Sequence, residues 1–160
     1  MDFTTTADRL LAELQSTYQK YTCASSHERK KKGIGDMFSS WMQSNPQLEA
    51  VHLTFLEGVE RIVTELAALL AEFHAGEPER CRDYAHRALD IIFAPKPGEE
   101  RNDVERFLPI AEYQGPALFP YASREQLERI HKEQLERKPK RYMPPNQLKL
   151  LKLLEDAIAE

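Results

Sequence analysis

The sequence predicts an all-α protein, a single-domain antiparallel bundle of six or seven helices with one long central helix over about residues 46–75. Three observations predict it. Apolar residues recur at steps of three and four along most of the chain, the 160 residues include only six glycines, and the connections between periodic segments are of the few-residue kind that favours antiparallel neighbours. A chain of this length buries roughly 70% of the surface it exposes when unfolded. Residues 1–160 are therefore read as one helical domain that needs neither a disulfide nor a structural metal.

The elements follow in order. Phe3, Ala7, Leu10, Leu11, Leu14, Tyr18 and Tyr21 share one face of a first helix, with Thr5 or Thr6 as its cap. A short second helix after Gly33 and Gly35 carries Met37, Phe38, Trp41 and Met42 and stops near Asn45. Asn45-Pro46 is a start signal, because the Asn side chain accepts an orphan amide and Pro suits the first helical position. The long helix that begins there carries Leu48, Val51, His52, Phe55, Leu56, Val59, Ile62, Val63, Leu66, Leu69, Leu70 and Phe73 as a wide apolar stripe, and Gly76 stands at its end. Gly58 within it costs about 1 kcal/mol relative to Ala, which points to either a close helix approach or a tolerated weakness.

Pro78 opens a helix with Cys81, Tyr84, Ala85, Ala88, Leu89 and Ile92 inward, ended by Pro95 and Pro97. Asn102 and Glu105 resemble a capping box for a segment that Pro109 divides. Gln114 to Tyr121, with Gly115, Pro116 and Pro120, reads as an ordered turn carrying Leu118 and Phe119. Ser123 with Gln126 caps a helix containing Leu127, Ile130 and Leu135, and a last helix bears Leu148, Leu151, Leu154 and Ile158.

Lys plus Arg number 22 against 26 Asp plus Glu, a net charge of −4. The total hides a polarity: residues 46–93 sum to −5, whereas residues 23–45 and 123–160 each sum to +2. Two cysteines in 160 residues fit a reducing compartment, so a cytoplasmic address is expected. The N-terminus has no basic and apolar leader pattern, and the apolar run Leu66 to Ala71 is far short of the roughly 20 residues of a membrane span.

Two Glu-x-x-His pairs, Glu49 with His52 and Glu128 with His131, lie on different predicted helices. Carboxylate-bridged di-iron and di-manganese bundles use two such pairs with further carboxylates, and Glu13 with Asp83 or Asp90 are candidates for the remainder. The 19 Glu and five His of the chain give fewer than one such pair by chance, so two pairs are a mild excess, and ordinary solvated or core positions are the stronger reading. Cys23 with His27 and Cys81 with His86 form a second conceivable set, for zinc. Positions 81 and 86 diverge by about 140° around a helix, so Cys81 is expected in the core and His86 beside Asp90.

Arg29, Lys30, Lys31 and Lys32 precede Gly33-Ile34-Gly35, a triplet that resembles the hairpin of helix-hairpin-helix DNA-binding modules over those three residues only. Lys31 and Lys32 stand where such modules carry apolar residues. With Phe38, Trp41 and Met42 the same run also suits a membrane surface or a partner. Arg137, Lys138, Lys140 and Arg141 form a second basic cluster, and convergence of the two would create an anion or nucleic-acid site; two separate solvated loops are the plainer alternative.

No P-loop, dinucleotide turn, Gly-x-Ser-x-Gly elbow, His-Glu-x-x-His helix or His-Asp dipeptide occurs, and no catalytic residue is nominated. The reading is a non-enzymatic cytoplasmic interaction or regulatory module with a protein partner and no cofactor. The alternatives are phosphate or nucleic-acid binding through the basic clusters and an Fe or Mn bundle.

Overall fold

In the computed structural model, residues 2–30, 46–94, 111–136 and 145–160 are described; within these, residues 22, 24–30, 46–49, 111 and 146 are described by backbone alone. The elements are α1 (Phe3–Lys30), α2 (Pro46–Phe73), α3 (Pro78–Phe93), a 3-10 segment (Ala111–Tyr121), α4 (Arg124–Glu136) and α5 (Pro145–Ala159). They form an all-α bundle of six helical elements, and no strand occurs among the described residues. The predicted short helix with Met37, Phe38, Trp41 and Met42, and the segment around Asn102 and Pro109, lie outside the described residues.

Asp2, not Thr5 or Thr6, caps α1. Its carboxylate accepts from the Thr5 amide at 3.4 Å and hydroxyl at 3.1 Å, and its carbonyl accepts from the Thr6 amide at 3.1 Å. A carboxylate there satisfies an orphan donor and faces the positive end of the helix dipole. The seven predicted inward residues of α1 are all buried. They meet α2 in antiparallel order, Phe3 beside Phe73 with ring centroids 4.8 Å apart, Glu13 with Arg61 at 3.0 Å, and Tyr21 with His52 at 3.1 Å. Gly58 sits where α2 crosses Thr17, whose Cγ2 lies 3.4 Å from the position of an added Cβ. An added methyl there makes ordinary contact, so the crossing does not itself require glycine.

The 28 residues of α2 span roughly 42 Å at 1.5 Å each, the length of the spine that the sequence predicts. The Phe73 carbonyl ends it by accepting from the Gly76 and Glu77 amides at 3.2 and 2.9 Å. Pro78 then occupies the first turn of α3, where its missing donor costs nothing. Cys81, Tyr84, Ala85, Ala88, Leu89, Ile92 and Phe93 are the buried face of α3. Ala94 has extended ψ of 140°, as the following Pro95 favours.

The Gln114–Tyr121 stretch is part of a 3-10 helix, not a turn. Eleven residues of this geometry exceed its usual run, and Pro116 and Pro120, which lack amide donors, oppose ordinary α-helix there. The segment is the wedge of the bundle. It contacts α2, α3 and α5 and buries Leu118 and Phe119, so that α4 and α5 join one continuous core with the first three helices. Gly115 is pressed on α3: an added Cβ would lie 2.7 Å from Phe93 Cε2.

The Ser123 hydroxyl caps α4 by accepting from the Gln126 amide at 3.2 Å. The Gln126 side chain does not complete the predicted box, because its amide donates to the His86 carbonyl at 2.9 Å. The inward residues of α4 are Gln126, Leu127, Ile130 and Gln134, and those of α5 are Gln147, Leu150, Leu151 and Leu154. Leu135 and Leu148, expected inside, are exposed. No helix among the described residues is long and apolar enough to cross a membrane.

Candidate functional site

Two features mark α4 and α5. The first is an inversion of polarity where the two helices adjoin their eight-residue connection. In α4, Gln134 is 1% exposed and its neighbour Leu135 is 44% exposed; in α5, Gln147 is 1% exposed and its neighbour Leu148 is 54% exposed. Gln134 Oε1 and both amide atoms of Gln147 are buried without a hydrogen-bond partner. Two glutamines thus occupy positions that leucines one residue away are better suited to fill, and the leucines face outward.

The second feature is the seam between α3 and α4. Besides the Gln126 bond to the His86 carbonyl, Arg129 meets Asp90 at 2.6 Å and His86 Nε2 meets Asp90 at 3.1 Å. Beside this cluster an open cleft of about 250 Å³ is lined by Asp90, Phe93, Ala94, Arg129, Ile130 and Glu133. Sequence reasoning misses the seam. Its one local trace is Gln126, a polar residue on the same helix face as the buried Leu127 and Ile130.

Helix direction places the ends of the bundle. Arg80 contacts Thr4 and Tyr84 donates to Asp8 at 2.9 Å, so α3 runs in the same direction as α1. Gln126 and Arg129 of α4 meet His86 and Asp90 of α3 within one turn of each helix. Arg29 and Lys30 close α1, and Arg137 directly follows α4. The side chains of Arg29 and Lys30, together with Lys31, Lys32, Phe38, Trp41, Met42, Arg137, Lys138, Lys140 and Arg141, lie outside the described residues.

The described side chains nominated as metal ligands have other partners. His52 is buried, with Nδ1 3.1 Å from the Tyr21 hydroxyl, and the Tyr21 ring stacks on Phe55 at 4.1 Å. His131 pairs with Glu155 at 3.2 Å, and Glu128 with Arg124 at 3.1 Å. Asp83 lies 3.7 Å from Arg87. Glu13 is held by Arg9 and Arg61; the Arg61 hydrogen bond is the main reason its carboxyl lies below the ordinary 4.5, against a smaller opposing effect of burial. Glu49, and His27 of the zinc set, are not described at their side chains. No group of three or more His, Cys, Asp or Glu is placed to hold a metal among the described residues.

Cys81 is a core residue, as its spacing predicts, with its thiol 3.7 Å from the Leu70 carbonyl. Burial pushes that thiol above its ordinary 9.0, and the nearby Glu77 charge adds to the effect. Cys23 is exposed, and both thiols are free. His86 faces Asp90 one turn on, also as expected.

In comparisons with known protein families, curated proteins and solved structures, the chain matches none.

Proposed function

We propose that this chain is a non-enzymatic interaction module of the cytoplasm that recognises a protein partner through the outward tip of α4 and α5. The observation that carries the reading is the inverted order at that tip, Leu135 and Leu148 outside with Gln134 and Gln147 inside. Exposed leucines gain by burial against a partner, at about 25 cal/mol per Å² of apolar surface covered, whereas buried amides without partners weaken the chain on its own. A sequence shaped only for its own stability would exchange the two residue types. The free thiols accord with a reducing address.

The charge of the same stretch specifies what such a partner would carry. Residues 132–152 include seven positive and two negative side chains in a chain whose net charge is −4. An acidic surface with apolar residues is complementary. The test is quantitative affinity capture with the full chain and with a Leu135→Ser/Leu148→Ser variant of unchanged helicity. A protein retained by the former and lost from the latter supports the reading; equal retention by both overturns it.

A second reading has an observation of its own. Arg29 to Lys32 stand at the end of α1 and Arg137 to Arg141 follow α4, and two such basic runs in a chain of net charge −4 favour binding of phosphate groups or nucleic acid. Oligonucleotide affinity falling steeply with salt, and lost when both clusters are neutralised while Leu135 and Leu148 are intact, supports this reading over the first. Salt-independent or unaltered binding excludes it.

A further inference from the structure

The helix pair α4 and α5 shares one apolar core with α1, α2 and α3 through the 3-10 segment, and differs from them in its direct contact with α3. The first three helices interlock through apolar side chains: Phe3 lies between Phe73 and Tyr84, with centroids 4.8 and 5.4 Å away, and Leu10, Leu14, Val59 and Leu66 are fully enclosed. The direct seam between α3 and α4 is instead polar. It consists of the Gln126 bond to the His86 carbonyl and the Arg129 pair with Asp90, and it borders the open cleft. Arg129 and Asp90 are each about half exposed, and ion pairs so placed hold little against water.

The interior of the pair carries an opposing pressure. Gln126 Oε1, Gln134 Oε1 and both amide atoms of Gln147 are buried without partners, so any state that admits water to them gains hydrogen bonds that the closed state lacks. The apolar attachment of α5 to the rest runs through the 3-10 segment. That segment is itself held on α3 by the tight Gly115 contact with Phe93.

We propose that α4 and α5 separate from α3 together, as one opening unit, while α1, α2 and α3 remain folded. Opening hydrates Gln134 and Gln147 and presents Leu127, Ile130, Leu150 and Leu154. The bundle thus has a built-in second conformation in which a helix pair offers its inner face. This inference is independent of what binds the outward leucines.

Native-state hydrogen exchange on the full chain tests it, comparing wild type with Arg129→Ala and with Gln134→Leu/Gln147→Leu. In the wild type, amides of residues 127–134 and 150–154 are expected to share one opening constant, about tenfold or more above that of residues 10–14 and 59–66. Arg129→Ala is expected to raise the α4 and α5 constant about threefold or more and leave α1 and α2 unmoved. The leucine pair is expected to lower it about tenfold. One common constant for all four segments overturns the proposal, as do separate constants for α4 and α5, an equal response of every helix to Arg129→Ala, or an unchanged constant in the leucine variant.

Discussion

Gln134 and Leu135 are consecutive in α4, yet the amide is 1% exposed and the leucine 44%. Gln147 and Leu148 repeat the relationship in α5. Burying an unsatisfied polar group costs about 1–3 kcal/mol, and leucine has nearly the volume of glutamine. Gln147→Leu, which removes two unpartnered atoms, is therefore expected to stabilise the isolated chain by about 1 kcal/mol or more. Urea unfolding with an unchanged slope reads the gain; a loss of stability contradicts the burial argument.

The two helix-contact glycines are expected to respond in opposite directions. At Gly58 an added methyl meets Thr17 Cγ2 at 3.4 Å, ordinary contact, so Gly58→Ala gains helix propensity of up to about 1 kcal/mol. At Gly115 the methyl would lie 2.7 Å from the Phe93 ring, which is itself buried. Gly115→Ala is expected to cost about 1–3 kcal/mol, measured on the same unfolding curves.

Removing the Tyr21 hydroxyl separates hydrogen bonding from packing at the α1–α2 crossing. Tyr21→Phe keeps the stack on Phe55 and loses the 3.1 Å contact with His52, an expected cost of about 1 kcal/mol. Tyr21→Ala also loses the ring and is expected to cost about 3–5 kcal/mol. Equal losses in thermal unfolding would show that the ring contributes nothing.

Acid should weaken the α1–α2 contact through Glu13. Its carboxyl is depressed by the hydrogen bond from Arg61, so the folded state holds the proton less tightly than the unfolded chain. The contribution is complete above the ordinary value of 4.5 and is lost as pH falls through the lower folded value. Arg61→Ala is expected to flatten that part of the stability profile and to converge on wild type in stronger acid. A parallel profile displaced at every pH contradicts the assignment.

Thiol labelling distinguishes the two cysteines. Cys23 is exposed and Cys81 buried, and burial holds the Cys81 thiol in its protonated, unreactive form. One equivalent of maleimide is expected to react with the native chain and two with the unfolded chain. Rapid reaction of both in the native state contradicts the core position of Cys81.

Much of the fold is legible from spacing alone, because a helix with a single apolar stripe has only one face to bury. Phe3 to Tyr21 in α1, Phe55 to Leu70 in α2 and Cys81 to Ile92 in α3 are of this kind, and Pro78 marks a boundary by chemistry that needs no partner. In α4 and α5 the leucines surround more than one face. Choosing between Leu135 and Gln134, or Leu148 and Gln147, depends on how each helix is turned in the bundle, which spacing alone does not specify. The 3-10 segment itself is hidden because Pro116 and Pro120 announce an interruption of α-helix without specifying what replaces it. The polar seam depends on Asp90 meeting Arg129 across 39 residues, and no local pattern encodes that pairing.

Whether Leu135 and Leu148 are kept outward for a partner is read from the affinity of purified full chain for the captured protein, measured in wild type and in Leu135→Ser/Leu148→Ser. A loss of about a hundredfold or more is expected, on the order of 3 kcal/mol for two leucines at the centre of an interface, with the unfolding midpoint of the free chain nearly unchanged. Equal affinity of the two proteins for that partner would contradict it.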